Sequence, residues 1–239
     1  MKHVELGVNI DHVATLRQAR GEKNPDTVEA ARVVYSSGGD MVVMHLRQDR
    51  RHIQDSDLER VRHDVKGLIH LEMAALPEME KIALRVRPDS VCLVPEGPRE
   101  LTTQGGMKLD ARRPDLEKII KNLSNAGIEV SIFADPEPQA IRAAHNMGAD
   151  CIELCTKKYA ESWGKKLQAK ELEKLQLAGF LVKELKMELH AGHGLDYYNV
   201  APVARIDGMD CLNIGFSIIS RGMFVGLKTA VAEMKRLIQ

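Results

Sequence analysis

No apolar run in this sequence approaches the roughly 20 residues needed to cross a bilayer. The stretch from Met1 to Ile10 is too short and too interrupted to read as a signal peptide, so a cytoplasmic protein is expected. Neither sign of charge is in excess: 34 Lys and Arg face 34 Asp and Glu. A chain without net charge has no overall field to draw it to nucleic acid or to an anionic membrane, and neither partner is expected. There is no CxxC pair and no Cys/His cluster with zinc spacing. Cys92, Cys151, Cys155 and Cys211 each lie in or beside an apolar run, which predicts reduced thiols in buried strands rather than metal ligands or disulfides. No low-complexity stretch or linker divides the chain, and no dinucleotide fingerprint is present.

What the chain does have is a repeat of local pattern. A helical segment ends in glycine and a short apolar run follows at once. Gly38-Gly39-Asp40 leads into Met41 to Met44, Gly127 into Ile128 to Phe133, Gly148-Ala149-Asp150 into Cys151 to Leu154, and Gly208-Met209-Asp210 into Cys211 to Ile214. Glycine after a helix supplies the left-handed residue from which a strand can start. Glu5 to Ile10, Gly67 to Met73, Ser90 to Val94 and Lys186 to His190 complete eight candidate strands. Helical stripes lie between them. Leu116, Ile119, Ile120 and Leu123 form one, and Ile219, Met223, Leu227, Ala230, Met234 and Ile238 form another. Pro25, Pro77 and Pro136 fall where first helical turns should start. Eight alternating units in 239 residues predict one closed (β/α)8 TIM barrel over residues 1–239 rather than an open sheet. The stretch from Ala160 to Glu184 leaves room for an extra helix.

Barrels of this kind place their chemistry at the C-terminal ends of the strands. Polar residues just past the apolar runs are therefore the candidates. They include Asn9, Asp11 and His12, then His45, Arg47, Arg50, Arg51 and His52, then Glu72. Further on come Pro95 and Glu96, Thr156 to Lys158, His193 with Gly194, and Asn213 with Gly215. Histidines, carboxylates and arginines on one rim form an inventory for proton transfer and anion binding. Glu72 lies between apolar neighbours, so burial should raise its pKa toward neutrality, as suits a general base. The glycines at 192, 194 and 215 follow the seventh and eighth strands, where barrels commonly bind phosphate through backbone N–H groups and a helix N-terminus. The cationic run from His45 to His52 suggests a second anion site.

At these residues the chain resembles the pyridoxine 5'-phosphate synthase family. The matching blocks are LGVNIDHVATLRQARG (6–21), HLRQDRRHI (45–53), LEMA (71–74), CLVPE (92–96), LTTQGG (101–106), AGHGL (191–195), LNIG (212–215) and GLKTAVAEMKRL (226–237). The resemblance implies condensation of 1-deoxy-D-xylulose 5-phosphate with 3-amino-2-oxopropyl phosphate. The pyridine ring of vitamin B6 closes, with release of phosphate and water and without metal or redox cofactor. It implies that His45 and Glu72 accept protons and that His193 donates one. By the same resemblance Asp11, His12, Arg47, His52 and Thr102 contact the xylulose phosphate, and Asn9, Arg20, Gly194 and Gly215 contact the amino-ketone phosphate, with Phe216 beside them. A ring-like homo-octamer is implied as well.

The sequence departs from the family pattern in three places. Phe216 stands where histidine is usual, Cys155-Thr156-Lys157 where His-Thr-Gly is usual, and Gln48 where glutamate is usual. Other readings stay open on the residues alone. A phosphosugar aldolase would need a Schiff-base lysine, for which Lys157 is the candidate, and a non-catalytic relative would bind phosphorylated ligands without turnover. The Pro95 to Pro114 loop, with Gly105-Gly106, is the candidate lid.

Overall fold

A computed structural model of the chain describes residues 3–96, 105–109 and 113–239. Eight parallel strands close into one barrel in sequence order: β1 (Glu5–Asn9), β2 (Met41–His45), β3 (Leu68–Met73), β4 (Ser90–Leu93), β5 (Glu129–Ala134), β6 (Cys151–Cys155), β7 (Glu188–Gly192) and β8 (Cys211–Ile214). All eight fall on the apolar runs named from the sequence. The fold is a (β/α)8 TIM barrel. The Pro95 to Pro114 loop, with Thr102, lies largely outside the described residues.

Strand periodicity sorts the side chains into two populations. Outward positions such as Leu6, Val8, Val42, Met44, Ile69, Leu71, Ile152 and Leu154 join the main core between barrel and helices. Inward positions are more polar than a packed barrel lumen normally is. They include His70, Ser90, Ser131, Glu153, His190 and Asn213, all buried. Apolar filling inside includes two small groups: Met41, Val43 and Cys211, and Cys92, Val94, Phe133 and Cys155. All four cysteines are buried and unbridged.

At the N-terminal end of the barrel one device recurs with every second strand. Asp40, Asp89, Asp150 and Asp210 accept the backbone N–H of Leu6, Ile69, Val130 and Leu189 at 2.7–2.9 Å. Each aspartate in turn donates its own N–H to the carbonyl of the same partner residue. Two residues before each aspartate the backbone is left-handed: Gly38 (φ 92), Arg87 (φ 54), Gly148 (φ 86) and Gly208 (φ 78). The tight entry from helix to strand needs this conformation, which glycine adopts without a Cβ penalty.

Among the described residues the surrounding helices are α1 (Asp11–Arg20), α2 (Thr27–Ser36), α3 (Asp55–Asp64), α4 (Pro77–Val86), α5 (Pro114–Asn125), α6 (Pro138–Asn146), α7 (Lys157–Glu161), α8 (Gln168–Glu184), α9 (Val200–Ala204), α10 (Phe216–Val225) and α11 (Leu227–Ile238). Helix α5 buries the four residues of its predicted stripe. The second stripe does not belong to one helix. Gly226 at φ 82 ends α10 and starts α11, which buries Ala230, Met234 and Ile238 while Met223 stays exposed. Pro77 opens α4 as expected, but Pro25 and Pro136 stand before the N-caps Asp26 and Glu137, and Pro138 takes the first position of α6. Asp26 caps α2 by accepting the N–H of Val28 at 2.9 Å.

Candidate active site

The strand ends open into a cavity of about 1350 Å3 at the C-terminal mouth. Asn9, Asp11, His12, His45, Arg47, Arg51, His52, Glu72, His193, Gly194, Asn213, Gly215 and Phe216 line it, whereas Arg20, Arg50, Glu96 and Thr156 to Lys158 do not. Thr102 lies outside the described residues. Arg20 is the last residue of α1, exposed and off the cavity wall.

The first strand sets the geometry of the second. Asn9 accepts the Asp11 N–H through Oδ1 at 2.8 Å and donates from Nδ2 to Asp11 Oδ2 at 2.9 Å. Asp11 Oδ1 then accepts the backbone N–H of His45 at 2.8 Å. This fixes the end of β2 against the start of α1. His45 and Glu72 are register partners on β2 and β3, so their side chains enter the mouth side by side. His45 Nδ1 lies 3.6 Å from Glu72 Oε2, and its Nε2 lies 3.0 Å from Glu96 Oε1. One imidazole is thus placed between two carboxylates.

The two carboxylates are tuned in opposite directions. Burial pushes Glu72 well above the ordinary carboxylate range, and Glu153 and Asp11 nearby push it further. Burial alone would raise Glu96 too, but its hydrogen bond and charge pairing with His45 outweigh burial and hold it below its ordinary value. Glu72 thus holds a proton more readily than an ordinary carboxyl, while Glu96 stays ionised beside His45. Asp11, His45 and Glu72 each offer a ligand atom within 4.8 Å of the others, an arrangement that can also hold a divalent cation.

His193 faces them from the end of β7. Its backbone is left-handed (φ 82), a conformation unusual for histidine. The buried Thr156 holds it there, with Oγ1 at 2.7 Å from both the Gly192 and the His193 carbonyls. Burial lowers the His193 pKa, and the Lys157 cation lowers it further. The wall between is cationic and aromatic. Arg47 is buried in it, and the His52 ring stands edge-on to His45 at 6.0 Å. Burial lowers His52 as well. On the β8 side Gly215 caps α10, and a Cβ there would come within 3.0 Å of the Asn9 Cβ. Phe216 begins α10 and meets the His12 ring edge-to-face at 5.4 Å. Gly194 sits at φ 81 beside His193. The N-terminal end of α10 and two glycine-containing loops thus converge on one side of the cavity.

Two residues here were not singled out from the sequence for a role. Glu153 lines the floor of the cavity, nearly buried, and accepts a hydrogen bond from Asn213 Nδ2 at 2.8 Å. Its pKa is raised by burial. Gly192 makes room for it, since a Cβ there would lie 2.3 Å from Glu153 Oε1. The signal was the alternation in Cys151-Ile152-Glu153-Leu154-Cys155, which turns Glu153 inward between two cysteines. Glu96 was noted past the fourth strand, but its contact with His45 spans 51 residues and no local pattern shows it. Lys157, the aldolase candidate, opens α7, does not line the cavity and lies 4.0 Å from Glu161.

A closed barrel with histidines and differently tuned carboxylates at its C-terminal mouth defines a (β/α)8-barrel enzyme of acid–base type. The family described as "Pyridoxal phosphate biosynthesis protein PdxJ" matches residues 6–239, and the chain belongs to that family. A pyridoxine 5'-phosphate synthase of Elusimicrobium minutum is 51% identical over 237 residues, 99% of this chain and 98% of that one. One of Syntrophotalea carbinolica is 51% identical over 233 residues, 98% of each chain. Among solved structures, a 4-hydroxy-2-oxoglutarate aldolase superposes with a TM-score of 0.66 at 12% identity, covering 98% of this chain and 94% of its own. Thiamine phosphate pyrophosphorylase from Pyrococcus furiosus gives 0.61 at 17%, covering 99% and 96%. At such identities these two likenesses concern the fold alone. Among the described residues no helix is long and apolar enough to cross a membrane.

Proposed function

We propose that this chain condenses 1-deoxy-D-xylulose 5-phosphate with 3-amino-2-oxopropyl phosphate to pyridoxine 5'-phosphate, releasing phosphate and water. The observation that carries the reading is the meeting of His45, Glu72 and His193 in one cavity with a cationic wall. The amine of one substrate attacks the ketone of the other, and loss of water leaves an imine. That step moves protons to and from one oxygen, which suits groups titrating near neutrality. Glu72, raised by burial, accepts a proton from carbon next to the imine as phosphate departs. His45, aligned by Glu96, takes the proton of the attacking amine. His193 protonates the departing oxygen.

The phosphates divide between the two sides of the mouth. His12, Arg47 and His52 suit the xylulose phosphate, with Thr102 as the residue the family adds. Asn9, Gly194, Gly215 and the start of α10 suit the amino-ketone phosphate, where backbone N–H groups do the binding. Phe216 offers that phosphate no ring N–H, and its ring packs on His12 instead. Arg20, exposed on α1, reaches this phosphate only through a rearrangement or from another subunit of a homo-octamer. The enzyme acts in the cytoplasm in this reading, and no cofactor takes part.

The test is to supply both substrates and follow pyridoxine 5'-phosphate and free phosphate together. Equal appearance of the two, abolished in Glu72→Gln, supports the reading. Saturable binding of either substrate without product, from folded protein, sinks it in favour of a non-catalytic relative.

A further inference from the structure

Beneath the cavity, inside the barrel, lies a second cluster that shares Glu153 with the cavity floor. His70 on β3, Cys92 on β4 and Glu153 on β6 each present a donor atom within 4.8 Å of the others, and all three are buried. These residues are far apart in sequence, so no ligand spacing announces them. The His70 Nε2 atom has no hydrogen-bond partner among the described residues. A buried ring nitrogen without a partner is uncommon and asks for an explanation. Glu153 Oε2 lies 4.0 Å from it, beyond hydrogen-bond reach.

We propose that His70, Cys92 and Glu153 form a binding site for one divalent transition-metal ion of zinc type. The donor set of nitrogen, sulfur and oxygen is the one zinc accepts, with bonds of about 2.0–2.3 Å. Tetrahedral geometry at those lengths places donors roughly 3.3–3.8 Å apart, so the 4.0 Å separation of His70 and Glu153 closes with a small side-chain shift. A neutral imidazole, a thiolate and a carboxylate balance the two positive charges, which removes the cost of an uncompensated charge in the barrel interior. The supporting contacts are of the kind metal sites carry. His70 Nδ1 is 2.6 Å from Ser90 Oγ, which fixes the ring so that Nε2 faces the cluster. Asn213 Nδ2 donates to Glu153 Oε2 at 2.8 Å and holds that carboxylate from the other side. The ion enters through the cavity, whose floor Glu153 forms. The fourth position belongs to water or to the second Glu153 oxygen.

Because Glu153 also faces the substrates, an ion held here restrains it and slows turnover. The proposal itself stands on binding, which is measured without the reaction. The full chain is freed of metal with a chelator and titrated with Co2+, followed by absorption, and then with Zn2+ in competition. One equivalent of Co2+ should give the bands of a tetrahedral ion together with a thiolate-to-cobalt charge-transfer band, and Zn2+ should erase both. Cys92→Ser should lose the charge-transfer band, and Ser90→Ala should bind about 10–100-fold more weakly. Circular dichroism checks that each variant is folded, with Cys92→Ala as the substitute if the serine variant is not. Absence of a charge-transfer band in the folded wild type overturns the proposal. So does the same band in the Cys92 variants, which places the ion on another thiol. So does Co2+ binding that survives Cys92→Ala but is lost in His45→Ala, which places it on Asp11, His45 and Glu72.

Discussion

At the scale of the residue, burial first and neighbouring charges second move the proton affinities of Glu72 and His193 toward one another. In the proposed reaction Glu72 accepts a proton only when ionised, and burial raises its pKa, so the acid limb of the rate profile is expected above the usual carboxylate range. His193 can donate only when protonated, and burial beside Lys157 lowers its pKa, so the alkaline limb lies below that of an ordinary histidine. The two limbs approach each other and the profile is a narrow bell. Glu72→Gln should lower kcat by about 100- to 10,000-fold and erase the acid limb, measured by steady-state rates across pH. Lys157→Ala tests the other limb. Removing a cation favours imidazolium, so the His193 pKa should rise and the alkaline limb should move to higher pH, with kcat at the optimum little changed. A limb that stays in place would show that burial alone sets His193. These residue types and their rim position were readable in the sequence, because barrel strands end where apolar runs end. Their tuning was not, since the partners Glu153, Asp11 and Glu96 reach Glu72 and His45 from other strand ends.

At the scale of the element, the sequence was most readable where one residue type had one backbone task. Gly38, Gly148 and Gly208 each precede an aspartate by two residues, and the left-handed turn they predict is present. The fourth copy was hidden, because Arg87 takes the same conformation with φ 54 without announcing it. Periodicity failed where a single glycine changed direction inside an unbroken stripe, at Gly226 between α10 and α11. Contacts between helices were beyond local pattern altogether. Arg17 of α1 donates from both terminal nitrogens to Asp57 of α3 at 2.6 Å each, and Thr27 of α2 donates to the same carboxylate at 2.9 Å. One buried carboxylate therefore joins three helices behind the loop that carries His52. Arg17→Met should cost about 3–5 kcal/mol, because Asp57 stays buried without its countercharge. Urea unfolding of the variant measures it. A loss below about 1 kcal/mol, the range of an exposed pair, would show that water replaces the arginine.

At the scale of the whole molecule, the balance of charge leaves apolar surface as the feature that asks for a partner. Helix α10 is long enough to bury a full stripe, yet Ile218 is its only buried residue. Met223 is 74% exposed and Phe224 86%, while Tyr198 nearby on the cavity wall is 80% exposed. Scattered apolar residues need no explanation, but large ones clustered beside a cavity mark a contact surface. A homo-octamer is what the family resemblance implies, and this cluster is one surface on which a copy of the chain would bury apolar area. Aromatic and methionine side chains are the types enriched in the centre of such contacts. A Met223→Glu, Phe224→Glu variant places two carboxylates in that patch. Light scattering should then report a smaller assembly than the wild type at equal concentration. Turnover should fall as well, since Phe224 also lines the cavity. An unchanged mass would move the contact elsewhere on the barrel.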